Sequence, residues 1–335
     1  MTIMTNQLLN SKKETYLSNN SLRNKSVLFF CYPFRGYNKF IIDSLEEMGA
    51  LVTYYSDSPD YKLFRIMPSQ VKNYIIKKYN KYILDKIRYN KYDYIFVIKG
   101  TYISNAFLKE LKILNPNGKF LLYLWDSLKN YDYSNKISSF DKVFSFDRND
   151  CKQLNTVTYL PLFFISQFKD NQNNIKKRND LFFIGGGLSY RKPFLERLVK
   201  NLNDPELKCL FYFPSFKNYL RTFFSKENHF RYLRKPIPHV KFINEFLSSK
   251  AVVDIPSPNQ AGLTMRTLEV LGSGIKLITT NEGIVQEPFY DDNNILVVSR
   301  ENPIVPKDFL NSKSSKIDMS DYSLKSFLNK IFLSV

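Results

Sequence analysis

Two kinds of hydrophobic pattern alternate along the chain. Short uninterrupted apolar runs give way to stretches in which apolar residues recur every three or four positions. Ser26–Tyr32 (SVLFFCY), Leu51–Tyr55, Tyr94–Ile98 (YIFVI), Phe120–Trp125 (FLLYLW), Lys142–Phe146 (KVFSF) and Val157–Leu160 are of the first kind. Runs of this length read as strands covered on both faces. Asn38–Met48, with Phe40, Ile41 and Leu45 on one face and Gly49 at its end, reads as a helix. So do Asn105–Leu114, stopped by Pro116 and Gly118, and much of the segment 62–91. Strands that alternate with helices predict a parallel sheet.

A polar, charged stretch over 167–179 then interrupts the pattern, which restarts with the strand Asp180–Ile184 and the helix Phe194–Asn201. Leu207–Phe213, Val240–Ile243 and Ala251–Ile255 read as strands, with a short helix from Asn244. The helix Leu263–Leu271 and the strand Ile275–Thr280 follow. The organisation expected is a loose arm (1–24), an α/β domain (25–166), a linker (167–179), a second α/β domain (180–318) and a C-terminal helix (319–335) able to pack back on the first.

The stretch 254–281, DIPSPNQAGLTMRTLEVLGSGIKLITTN, concentrates the candidate chemistry. A strand breaks at Pro256 and Pro258, a loop carries Gly262 and Leu263, and a helix opens with Thr264 and Arg266 in its first turn and Glu269 one turn on. Gly274 closes the helix before the next strand. Unpaired amides and the helix dipole at such a strand–loop–helix junction attract anions. A phosphate can take the amides, Thr264 and Arg266, and a carboxylate such as Glu269 can accept two ribose hydroxyls; the alternative is an ordinary buried βαβ unit. Earlier, Gly185, Gly186 and Gly187 follow a strand and precede Arg191 and Lys192. Glycines there permit close ligand approach, and the two cations offer charge to a phosphate. The spacing fits neither a dinucleotide fingerprint nor a P-loop.

These motifs resemble the donor-nucleotide site of GT-B glycosyltransferases, particularly the bacterial surface-polysaccharide enzymes described as group 1 or CgeB-like. Glu269 and Gly274 match that pattern; a second glutamate common in group 1 enzymes has Ala261 in its place. The resemblance extends over residues 25–300 and includes the run from Trp125 to Phe164. It implies a GT-B fold, two Rossmann-like parallel-sheet domains facing across a cleft, with the nucleotide on the second domain. It also assigns Phe242 and Ile243 to backbone contacts with the nucleobase, and the loop with Arg35 and Gly36 to the acceptor side.

In the first half Asp126 follows Trp125 at a strand end, where it can act as general base or cap the next helix. Asp147 and Asp150 have a spacing that suits a divalent ion or, more often, helix capping. No metal site and no cofactor is expected, and no GxSxG elbow points to a hydrolase. Three cysteines, Cys31, Cys151 and Cys209, lie far apart, which fits a reducing cytoplasm without disulfides.

The net charge is +18. Residues 62–91 carry nine Lys or Arg against Asp85, interleaved with Tyr74, Tyr79, Tyr82 and Tyr89 and with Ile75, Ile76, Ile83 and Leu84. A basic helix with an apolar stripe suits an anionic membrane surface, though a solvated helix packed on its own domain has the same composition. No nucleic-acid motif accompanies it, so no nucleic-acid partner is expected. No apolar run is long enough to span a bilayer, so a cytoplasmic protein, peripheral on the inner membrane, is expected. The function expected is transfer of a sugar from a nucleotide donor to a lipid-linked or growing surface glycan. The rivals are a nucleotide-sugar epimerase or hydrolase of the same architecture and a non-catalytic binding scaffold.

Overall fold

A computed structural model describes residues 21–34, 36–59, 64–167, 175–186, 188–202, 208–214, 229–233, 237–257 and 262–335. The chain divides into two compact units, residues 1–161 with 324–335, and residues 162–323. Each is built on a six-stranded, wholly parallel sheet.

The first sheet comprises β1 (Ser26–Cys31), β2 (Leu51–Tyr55), β3 (Tyr94–Ile98), β4 (Lys119–Leu124), β5 (Lys142–Ser145) and β6 (Val157–Tyr159), in the order β2-β1-β3-β4-β5-β6. Helix α1 (Tyr37–Glu47) starts at Gly36, whose φ of +81° suits glycine, and buries Tyr37, Ile41 and Leu45. Helix α2 (Ser69–Ile87) begins after Pro68, and α3 (Asn105–Leu114) is capped by the Ser104 hydroxyl, which accepts from Phe107 N–H. Two short helices, α4 (Ser134–Ile137) and α5 (Arg148–Gln153), flank β5.

Helix α2 packs its apolar stripe on its own unit, the second of the two readings of the sequence. Ile76, Asn80, Ile83 and Ile87 recur at helical spacing and are buried, with Ile83 and Ile87 in the core above the first sheet. The apolar stripe is therefore spent inside the unit. Outside, Val71, Tyr74, Tyr82 and Tyr89 are exposed, with Lys78 over the Tyr74 ring and Lys86 over that of Tyr82.

The second sheet comprises β7 (Asn179–Ile184), β8 (Cys209–Pro214), β9 (Phe230–Leu233), β10 (Ser249–Asp254), β11 (Lys276–Thr279) and β12 (Ile295–Val297), in the order β12-β11-β10-β7-β8-β9. β9 and β12, at the two edges, have no counterpart in the pattern analysis. The helices are α6 (Leu188–Leu202), α7 (His239–Leu247), α8 (Met265–Gly272) and α9 (Lys307–Asn311). The strand expected over Val240–Ile243 is helix. Ile243, Phe246 and Leu247 form one buried face at helical spacing, and Pro238 supplies the start.

The last helix, α10 (Leu324–Phe332), belongs to the first unit. It lays Phe332 edge-on against Tyr94 and Phe96 and Phe327 against Tyr123, covering the sheet face opposite α2 and α3. Phe327, Leu328, Ile331 and Phe332 are buried, and each such side chain contributes about 1.5–3 kcal/mol of transfer free energy. All three cysteines are free, and among the described residues no helix is long and apolar enough to cross a membrane.

Candidate functional site

In the second sheet β7 and β10 are neighbours, but the chain leaves them in opposite directions, β7 toward β8 and β10 toward β11. Doubly wound folds bind ligands in the crevice outside such a switch point. Four of the residues singled out in the sequence meet there. Gly186 follows β7, and a Cβ added to it would meet nothing within 4 Å. Arg191, in the first turns of α6, donates from Nε to the Ile255 carbonyl (2.8 Å) and from Nη1 to the Gly186 carbonyl (3.1 Å). One guanidinium thus ties together the two loops that leave the switch point. Two of its five N–H groups go to these carbonyls, so others can face an anion. Gly262 and Leu263 lead from the β10 loop into α8.

Thr264 caps α8. Its hydroxyl accepts from Thr267 N–H (3.1 Å) and donates to Asp254 Oδ2 (2.6 Å), which also takes the Thr267 hydroxyl (2.8 Å). The side chain is therefore engaged with the helix start and the end of β10. Arg266 lies over the rings of Phe242 (5.0 Å) and Phe246 (5.8 Å) from α7. Its side chain is 12% exposed, and Nη1 has no hydrogen-bond partner although Glu269 Oε2 is 3.8 Å away. Glu269 is 3% exposed. A buried carboxylate needs a nearby cation, and Arg266 one turn earlier supplies it. Ile243 is buried on α7.

Lys192 points elsewhere, pairing with Glu196 at 2.7 Å and lying over Phe230. Arg35 and Gly187 lie outside the described residues. Arg300 was not foreseen. From the loop after β12 it donates Nη2 to the Pro256 carbonyl (3.1 Å), adding a second guanidinium to the β10 loop. Its only signal in the sequence is an arginine just past a short apolar run.

At the carboxyl edge of the first sheet, Asp126 follows β4 and pairs with Lys99 Nζ at 2.6 Å. The two side chains are 36% and 40% exposed, so the pair itself is worth only about 0.2–1 kcal/mol. Lys99 has left-handed backbone, φ +66°, which costs an L-residue roughly 1–2 kcal/mol. Asp147 and Asp150 are both engaged within the first unit. Asp147 caps α5 by accepting from Asn149 N–H (2.9 Å), and Asp150 accepts from Leu128 N–H and the Ser145 hydroxyl. Burial is the main cause that raises the Asp150 carboxyl above its ordinary value. Among the described residues no group of three potential ligands could hold a metal ion.

No family model and no curated protein matches the chain. Solved structures do resemble it. An α,α-trehalose-phosphate synthase (UDP-forming) from Burkholderia xenovorans, in complex with glucose-6-phosphate, superposes with a TM-score of 0.61 at 11% identity, covering 93% of this chain and 99% of that one. AviGT4, a glycosyltransferase involved in avilamycin A biosynthesis, gives 0.53 at 13% identity, covering 92% and 93%. A UDP-N-acetylglucosamine 2-epimerase gives 0.52 at 11% identity, covering 92% and 94%. With the two parallel sheets, these likenesses show a GT-B fold of two Rossmann-like units. Transferases and an epimerase share that fold, so the fold by itself selects no reaction.

Proposed function

We propose that the protein is a glycosyltransferase that moves a sugar from a nucleotide-activated donor to a hydroxyl of a surface-glycan precursor. The observation that carries this reading is the switch point of the second sheet. There the Arg191 guanidinium bridges the Gly186 and Ile255 carbonyls beside the capped start of α8. A donor diphosphate seats against Arg191, Arg266 and Arg300, with Gly186 and Gly262 allowing close backbone approach. Phe242 and Ile243 border the base. Glu269 holds Arg266 in place and, as the resemblance implies, takes the ribose hydroxyls.

As the sugar–phosphate bond breaks, negative charge grows on the leaving diphosphate, and fixed guanidinium groups stabilise that charge without reorganising. The first unit takes the acceptor in this reading, with Arg35 and Gly36 on the acceptor side. Asp126 removes the proton from the attacking hydroxyl. No metal is required, because the arginines supply the positive charge. The acceptor is lipid-linked, and the exposed tyrosines and lysines of α2 rest on an anionic leaflet. Tyrosine rings suit the headgroup level and lysines the anionic surface.

The test is release of nucleoside diphosphate from a panel of nucleotide sugars, with and without glycan acceptors, in the presence of EDTA. Acceptor-dependent release that survives chelation supports the reading. Turnover independent of acceptor assigns an epimerase or hydrolase instead, and no turnover with tight binding assigns a scaffold.

A further inference from the structure

The carboxyl edge of the first sheet holds a second constellation, centred on the turn that ends β3. Lys99 and Gly100 both have left-handed backbone, φ +66° and +61°. A Cβ on Gly100 would come within 2.7 Å of Val97 Cγ1. Strained backbone persists only where its surroundings over-determine it. Two buried ionisable side chains do so here. Asp57, which follows β2 and is 3% exposed, accepts the Thr101 N–H through Oδ2 at 3.2 Å. Lys136, on α4 and 8% exposed, donates to the carbonyls of Gly100 (2.9 Å) and Thr101 (3.2 Å) and to the Tyr131 hydroxyl (3.1 Å). Those three bonds use the whole donor set of an ammonium. The Tyr131 hydroxyl in turn donates to the Thr101 carbonyl at 2.8 Å.

The turn is gripped on its N–H side by an anion and on its carbonyl side by a cation. What it presents is Lys99, against Asp126. A half-exposed ion pair is too weak to hold strained backbone by itself, so the order of cause runs from the grip to the turn to the pair. We propose that Asp57 and Lys136 are positioning residues that hold the Lys99–Thr101 turn and thereby fix Lys99 against Asp126. What Asp126 then does rests on the transferase reading; the grip does not.

The two groups also set a pH window. Burial pushes the Asp57 carboxyl up to about 6, opposed by the Thr101 N–H and by the charges of Lys99 and Lys136. Burial pushes Lys136 down to about 8, opposed by Asp57. The other titratable groups facing Asp57 are Cys31 from β1, Tyr54 from β2, and Tyr131 and Tyr133 ahead of α4. All four are raised by burial and stay neutral through this range. Between about 6 and about 8 both gripping groups are charged. Below it Asp57 becomes a weaker acceptor for Thr101, and above it Lys136 loses one of three N–H donors.

The raised acid contributes stability that is complete below 3.8 and lost as pH rises through 6. The lowered amine contributes stability that is complete above 10.5 and lost as pH falls through 8. Stability is therefore lowest, from these two groups, where the grip is complete.

The test is a pH titration of the backbone amides of Lys99, Gly100 and Thr101, and of the Asp126 carboxyl carbon, by NMR on the full isotope-labelled chain. Two steps are expected in the wild type, near pH 6 and near pH 8. Asp57→Asn, whose amide oxygen can still accept from Thr101, should remove only the lower step. Lys136→Gln should remove only the upper one. The pair Lys25–Asp93, just ahead of β1 and β3 at the opposite edge of the sheet, serves as the unaffected reference. Amides that do not titrate in the wild type, or steps that persist in the variants, overturn the proposal. No donor or acceptor is involved, so failure here leaves the transferase reading standing, and absent turnover leaves the grip standing.

Discussion

Thr264→Val removes one hydroxyl and keeps the shape of the side chain. In the structure that hydroxyl does two things. It accepts from the Thr267 N–H at the start of α8 and donates to the buried Asp254 carboxylate at 2.6 Å. Loss of a capping hydroxyl costs about 0.5–2 kcal/mol, and loss of a hydrogen bond to a charged acceptor about 1.5–3 kcal/mol. Asp254 keeps its second donor, the Thr267 hydroxyl, so the sum falls toward the lower end, about 2–4 kcal/mol. For a unit of this size each kcal/mol shifts the melting temperature by roughly 2–4 °C. Thr264→Val should therefore lower the second unit's transition by about 5–15 °C, while Thr264→Ser stays close to the wild type. Differential scanning calorimetry of the three proteins decides it. A Thr264→Val protein that melts with the wild type but binds nucleotide weakly would refute the capping argument and return the hydroxyl to the phosphate.

Gly272→Ala should destabilise the same unit, because the new Cβ would sit 2.5 Å from Phe164 Cγ and within 2.8 Å of two further ring carbons. Overpacking of this kind costs about 1–3 kcal/mol, and adding Phe164→Leu should restore part of it in thermal unfolding. Asp126→Asn should leave stability within about 1 kcal/mol, since its pair with Lys99 is half exposed. Its turnover should fall about 10²–10⁴-fold if it acts as base, with donor affinity unchanged; steady-state kinetics and donor titration separate the two.

The central strands were readable because both faces of a parallel sheet demand unbroken apolar runs, and the end of Asn105–Leu114 was readable because Pro116 and Gly118 stop it; the Ser104 cap at its start is an addition of the structure. The short run Val240–Ile243 was not. Three apolar residues around Lys241 suit strand or helix equally, and only the buried spacing of Ile243, Phe246 and Leu247 shows which. The basic helix α2 shows the same ambiguity one level up. Its periodicity revealed an apolar face, but not that the sheet claims that face.

Of the candidate site residues, Thr264, Arg266 and Glu269 stood out in the sequence because they are neighbours at one helix start. The bond from Arg191 to Ile255 joins residues 64 apart in sequence, and the grip of Asp57 on Thr101 joins residues 44 apart. Pairings of that length follow from strand order, which no local pattern encodes.

A donor site at the switch point of the second sheet requires that a nucleotide bind there. Isothermal titration of nucleoside diphosphates and their sugars, into the wild type and into Arg191→Met, tests it most directly. The guanidinium contributes about 1.5–3 kcal/mol through charge-assisted bonds to a diphosphate. Saturable binding of a nucleoside diphosphate should therefore appear in the wild type and weaken roughly tenfold to a hundredfold in the variant. If no nucleotide binds, or if one binds equally well to Arg191→Met, the donor site does not lie at this switch point.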